Sequence, residues 1–268
     1  MSGFVLPTPP DYEGALLLAR DVTMRFGGVT AVSELTLAVP QGAIVGIIGP
    51  NGAGKTTVFN VLSGFYTPQE GDVIFAGKSI KGRKPYDICR LGMARTFQNI
   101  RLFHNETALE NVMIGRHVRR KSHWWSAVLG LAAGEEAAIR ARAAELLDRV
   151  GLAAHGDEKA SALPYGAQRR LEIARALATD PTFLLLDEPA AGMNPQESME
   201  LMRFIRQIRD EFGLTILLIE HDMKVVMGVC EHIWVLEYGQ IIADGAPEAI
   251  RANPRVIEAY LGEEVVHV

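Results

Sequence analysis

Residues 43–56 read Ala43-Ile44-Val45-Gly46-Ile47-Ile48-Gly49-Pro50-Asn51-Gly52-Ala53-Gly54-Lys55-Thr56. The first six form a continuous apolar run, the pattern of a strand buried on both faces. From Gly49 the spacing fits G-x-x-x-x-G-K-[ST], and Thr56 to Leu62 then reads as a helix. In this setting the glycines let backbone N–H groups turn inward around phosphate oxygens. The helix aims its positive end at the same point. Lys55 is placed to reach the β- and γ-phosphates of a nucleotide, and the Thr56 hydroxyl to bind Mg2+. A chance glycine-rich turn would not come with a buried strand before it and a helix after it. Gly49, Asn51, Gly52, Ala53, Gly54, Lys55, Thr56 and Thr57 are therefore the candidate nucleotide-binding residues, with ATP and Mg2+ as the expected ligands.

A second apolar strand, Phe183-Leu184-Leu185-Leu186, ends in two adjacent acids, Asp187 and Glu188. With a phosphate loop upstream, Asp187 is suited to hold Mg2+ through its water shell. Glu188 is suited to polarise an attacking water as general base. The bland alternative is an acidic turn after a strand.

Working outward, strands are expected at Leu16–Leu18, Val22–Phe26, Ala31–Val39 and Val73–Gly77. A helical middle section spans about Pro85 to Ala178. Beyond it, strands at 183–186 and Leu214–Ile219 flank a helix from about Gln196 to Glu211. Ile233–Leu236 and Gln240–Ile242 suggest a hairpin, followed by short helices at Ala246–Ala252 and Val256–Leu261. Strands alternating with helices imply a mainly parallel sheet. Residues 1–14, rich in proline, read as a loose tail.

Composition narrows the function classes. The 268 residues carry a net charge of −5, which argues against a general nucleic-acid binder. Cys89 and Cys230 lie far apart without metal-ligand spacing and suit buried thiols in a reducing compartment. No apolar run reaches the ~18–20 residues of a membrane span, and no secretory signal opens the chain. A soluble, cytosolic protein is expected, serving a membrane only through a partner. The basic run Arg116-His117-Val118-Arg119-Arg120-Lys121 with Trp124-Trp125 reads as a solvated loop rather than a lipid-facing surface.

From about residue 16 to 263 the chain resembles the ATP-binding subunits of ABC transporters. The resemblance implies an α/β fold: a P-loop NTPase core with a mainly parallel sheet, an antiparallel β subdomain and an inserted helical subdomain. The cassette would span 15–250, with its helical subdomain at about 85–178 and a C-terminal helical extension at 251–268. Gln98, in Thr96-Phe97-Gln98, resembles the glutamine that touches Mg2+ and water and senses the membrane partner. His221 resembles the switch histidine at the γ-phosphate, and Phe26 the aromatic that stacks on adenine. Ala191-Gly192-Met193-Asn194-Pro195 resembles the loop that crosses the dimer interface. By the same resemblance Tyr165, Gly166 and Gln168 would contact nucleotide.

Leu163-Pro164-Tyr165-Gly166-Ala167-Gln168 departs from the usual signature, Leu-Ser-Gly-Gly-Gln. Proline has no hydroxyl to meet the γ-phosphate of an opposite subunit, so a weakened cross-subunit contact is expected. That variant, the segment Ala94–Asn99 and the stretch Gly245–Gly262 resemble the importers of branched-chain or hydrophobic amino acids. Importers of urea or other amides share much of this text. The implied partners are two permease subunits, a second ATPase subunit and, indirectly, a periplasmic or extracellular substrate-binding protein, with no nucleic acid. The implied location is the cytoplasmic face of the plasma (inner) membrane. Two other classes fit the sequence less well. A soluble ABC ATPase acting on DNA or ribosomes usually has long heptad arms or two cassettes. A decayed nucleotide sensor does not suit intact Lys55, Asp187, Glu188 and His221.

Overall fold

The computed structural model describes residues 14–119 and 132–266. The expected tail up to residue 13, and Arg120, Lys121, Trp124 and Trp125 of the basic run, lie outside the described residues. In chain order the elements are β1 (Ala15–Phe26), β2 (Val29–Pro40), β3 (Ile44–Ile48), α1 (Lys55–Leu62), β4 (Glu70–Phe75), β5 (Lys78–Ser79), α2 (Pro85–Leu91), β6 (Met93–Arg95) and α3 (Ala108–Arg116). They continue with α4 (Ala132–Arg149), α5 (Tyr165–Leu177), β7 (Phe183–Asp187), α6 (Pro195–Phe212), β8 (Thr215–Ile219), α7 (Met223–Val229), β9 (His232–Glu237), β10 (Gln240–Gly245), α8 (Pro247–Arg251) and α9 (Pro254–Val266). The chain divides into two compact units, Met1–Arg83 with Cys230–Val268, and Lys84–Val229.

In the first unit an antiparallel sheet runs β2-β1-β4-β5. β1 is one strand where the sequence suggested two. The pairing with β2 shifts register between Ala19 and Val22, where Asp21 takes a left-handed φ of 51°. That bulge carries Arg20 and Asp21, whose polarity interrupts the apolar pattern, and the Thr36 hydroxyl accepts the Asp21 N–H. β3 lies parallel to β9, which turns back antiparallel into β10. Tyr238 and Gly239 form the two-residue turn with φ of 45° and 79°, the positive pair that suits the twist of a hairpin. Every residue of β3 is buried, as its apolar run requires. Each such Val or Ile contributes about 1.5–3 kcal/mol.

In the second unit β6, β7 and β8 form a parallel set. β7 and β8 are buried along their whole lengths, the pattern of parallel strands covered on both faces. α6 begins on a capping box in which Asn194 accepts the N–H groups of Gln196 and Glu197. Its apolar face buries Leu201, Met202, Ile205 and Ile208, at helical spacing. α3 packs against α4 and α5. The stretch expected to be helical also holds β6, which is too short to show a period. α7 was not anticipated, because its valines favour strands. Among the described residues no helix is long and apolar enough to cross a membrane.

Candidate active site

The phosphate loop leaves β3 at Gly49, whose φ is 152°. A methyl group at Gly49 would run into the backbone carbonyl of Leu236 on β9. At Gly54, with a φ of 99°, it would come within 2.5 Å of the Ala31 carbonyl. The loop is also tied to the hairpin turn, since the Gly239 N–H donates to the Ala53 carbonyl at 2.9 Å. Ala53 is itself buried, and its N–H donates to Pro50. α1 starts at Lys55 with no side-chain cap on its first N–H groups. Lys55, only 8% exposed, donates from Nζ to the carbonyls of Gly49 at 2.6 Å and Pro50 at 2.8 Å. Asn51, Gly52 and Thr56 are exposed, and Thr57 is half-buried. A buried ammonium, an uncapped helix start and a cradle that excludes a Cβ together fit an anionic phosphate group. The Phe26 ring, 43% exposed, meets Tyr66 edge to face at 5.2 Å. Its open side suits a flat aromatic ligand.

The second unit gathers Asp187, Glu188, Gln98 and His221. Asp187, at the end of β7, is 5% exposed, and its Oδ2 accepts from the Arg95 guanidinium at 2.8 Å. Glu188 follows in the left-handed region, φ 44°, a position of backbone strain for a non-glycine residue. Two contacts hold that turn. The Glu188 N–H donates to the Ile219 carbonyl at 3.0 Å, and the Ala190 N–H donates to Glu220 Oε1 at 2.8 Å. Gln98 donates from Nε2 to Glu188 Oε2 at 2.8 Å. His221 Nδ1 lies 3.7 Å from the same oxygen, and its side chain is 60% exposed. The structure thus brings Gln98, Glu188 and His221 together, with Asp187 adjacent in sequence. Within this unit Asp187 and Gln98 carry oxygen donors of the kind Mg2+ prefers, and in the first unit the exposed Thr56 carries another.

Residues 32–191 match the ABC transporter family. The chain belongs to that family. Residues 240–266 match the branched-chain amino acid ATP-binding cassette transporter family. The high-affinity branched-chain amino acid transport ATP-binding protein LivG of Escherichia coli (strain K12) is 48% identical over 92% of this chain and 98% of its own length. BraF of Pseudomonas aeruginosa, described in the same words, is 47% identical over the same shares. Among solved structures, the ADP conformation of an ATP-binding cassette of an ABC transporter superposes with a TM-score of 0.81. It is 30% identical and covers 92% of this chain and 99% of that one.

In this ABC cassette the signature segment forms the start of α5. Pro164 is the N-cap, and Gln168 turns its amide back to the Leu163 carbonyl at 2.8 Å. The Tyr165 hydroxyl donates to the Ala191 carbonyl at 2.9 Å. A methyl group at Gly166 would meet nothing within 4 Å, so that face is open.

Three further residues pack against these groups or their segments. Arg95 and Arg169 stand in segments whose residue types form no chemical pattern of their own. The one sign of Glu220 in the sequence is an acid next to His221. Burial pushes the Glu220 carboxyl above the ordinary glutamate range. The Ala190 N–H and His221 oppose that rise, and Glu188 adds to it. The unfolded chain therefore gives up this proton at lower pH than the folded one. Stability from the neutral acid is full below the ordinary glutamate value and is lost as pH rises through the raised one. Glu220→Gln, which mimics the neutral form, should raise the melting temperature at about pH 8 and leave it nearly unchanged at about pH 4.5. Differential scanning fluorimetry checks this, and an equal shift at both pH values would remove burial of the charge as the cause.

Proposed function

We propose that this chain is the ATP-hydrolysing subunit of a membrane importer for branched-chain or other hydrophobic amino acids. The family match over residues 240–266 carries the substrate class. The constrained loop of Gly49–Thr56 and the contacts around Glu188 support ATP cleavage. Backbone N–H groups of the loop and Lys55 hold the β- and γ-phosphates, and Phe26 stacks on adenine. Thr56, Gln98 and Asp187, the last through water, would hold Mg2+. When bound, the ion neutralises charge on the phosphates. Glu188 accepts the proton of the attacking water, and the Gln98 amide fixes one of its oxygens. The strained turn at Glu188 sets the direction of that carboxylate. Arg95, at 2.8 Å, fixes the orientation of the Asp187 carboxylate. His221, mostly exposed, is free to reach the γ-phosphate.

Two such subunits would bind nucleotide between the loop of one and the Tyr165–Gln168 segment of the other, with Pro164 adding no hydroxyl contact. Closure of that pair is a ligand-biased two-state change that drives two permease subunits. The subunit would lie at the cytoplasmic face of the plasma (inner) membrane, held by the permease, with a periplasmic or extracellular binding protein supplying substrate. A urea or amide importer is the second reading, because such importers resemble the same signature variant.

Pull-down of the tagged chain from detergent-solubilised native membranes tests the assignment. Polytopic permease chains and an ATPase partner are expected by mass spectrometry. A ligand screen on the co-encoded binding protein should return leucine-like side chains. Ribosomal or DNA-bound partners without a permease would overturn the transporter reading. Amides in the screen would overturn the amino-acid one.

A further inference from the structure

Among the described residues the largest fully buried side chain belongs to Arg169, on α5. A fully buried guanidinium must be matched by acceptors on several sides. Here Nη1 donates to the Phe97 carbonyl and to Glu172 Oε2, both at 2.8 Å. Nη2 donates to the Gln98 carbonyl at 2.9 Å and to the Tyr165 hydroxyl at 3.3 Å. Glu172, one turn along the helix and 1% exposed, accepts the Arg101 N–H at 3.3 Å with its other oxygen. The pair therefore directs most of its polar contacts at residues 97–101. That segment carries Gln98, whose amide meets the Glu188 carboxylate. The Tyr165 hydroxyl extends the chain of contacts to Ala191, in the loop after Glu188.

We propose that Arg169 is a positioning residue for hydrolysis: its fork fixes the backbone at Phe97 and Gln98, so that the Gln98 amide is presented to Glu188, and it ties this segment to Tyr165 of the signature. The inference rests on the ATPase reading above. Stability alone does not account for the arrangement, since a buried ion pair can often be exchanged for uncharged residues without loss. What an uncharged replacement would not reproduce is a planar donor that holds two successive carbonyls at once.

The test uses the full chain and four variants. Arg169→Met combined with Glu172→Gln removes the pair without stranding a charge and keeps an acceptor for the Arg101 N–H. Arg169→Lys keeps the charge and loses the fork. Both should bind a non-hydrolysable ATP analogue within about 2-fold of wild type, while kcat falls by roughly 10²-fold. Gln98→Ala should lower kcat by itself. Adding the Arg169→Met and Glu172→Gln changes to Gln98→Ala should then lower it by less than about 3-fold more, because residues acting through one another are not additive. Multiplying losses in that combination would overturn the inference and leave the ATPase reading standing. So would wild-type kcat in both Arg169 variants. Wild-type kcat in Gln98→Ala would overturn the role of Gln98, and the inference with it.

Discussion

Glu188→Gln binds ATP as wild type does and loses about 10²–10⁴-fold in turnover. The geometry isolates this effect. Glu188 sits in a left-handed turn held by the Ile219 carbonyl and by Glu220 through Ala190, and glutamine has the same shape and fits the same turn. The Gln98 amide can still donate to the remaining carbonyl oxygen. What disappears is the basicity that takes up a proton from water. Phosphate release from radiolabelled ATP, alongside equilibrium nucleotide binding, separates the two quantities. Turnover at the wild-type rate would place the base elsewhere. Loss of binding together with turnover would mean the substitution had disturbed the turn instead.

Gly49→Ala should weaken ATP binding by on the order of 10²-fold or more. A left-handed conformation that only glycine readily adopts costs an alanine about 1–3 kcal/mol, and every 1.4 kcal/mol is tenfold in affinity. The added methyl would also meet the Leu236 carbonyl, a backbone atom of β9 that cannot swing aside as a side chain could. Either the loop or the strand edge must move, and both moves displace the backbone donors. Gly228→Ala provides the internal comparison, since a methyl there meets nothing within 4 Å and should leave nucleotide binding unchanged. Isothermal titration with ATP measures both. Wild-type affinity in Gly49→Ala would show that the loop tolerates the shift.

Much of this protein can be read from its sequence because the informative residues are local in the chain. The apolar run of β3, the glycine spacing and the acids at the end of β7 are contiguous patterns, and each lies where the pattern puts it. The hairpin of β9 and β10 was equally visible through Tyr238-Gly239. What stayed hidden depends on partners distant in sequence. Arg95 looks like any strand-end arginine until it is seen against Asp187. Arg169 looks like a surface residue of a charged helix, in a run of two arginines, yet it is wholly buried. Glu220 gains its meaning from the Ala190 N–H. β6 was lost because three residues show no alternation.

The hold of the hairpin on the phosphate loop bears on how the protein is made. The loop precedes the hairpin in the chain, but its shape is completed by Leu236 beneath Gly49 and by the Gly239 N–H on Ala53, both far downstream in sequence. A ribosome-bound nascent chain that has released only β3 and α1 therefore carries the loop without the backbone that confines it. Nucleotide binding should therefore switch on only once the hairpin has emerged.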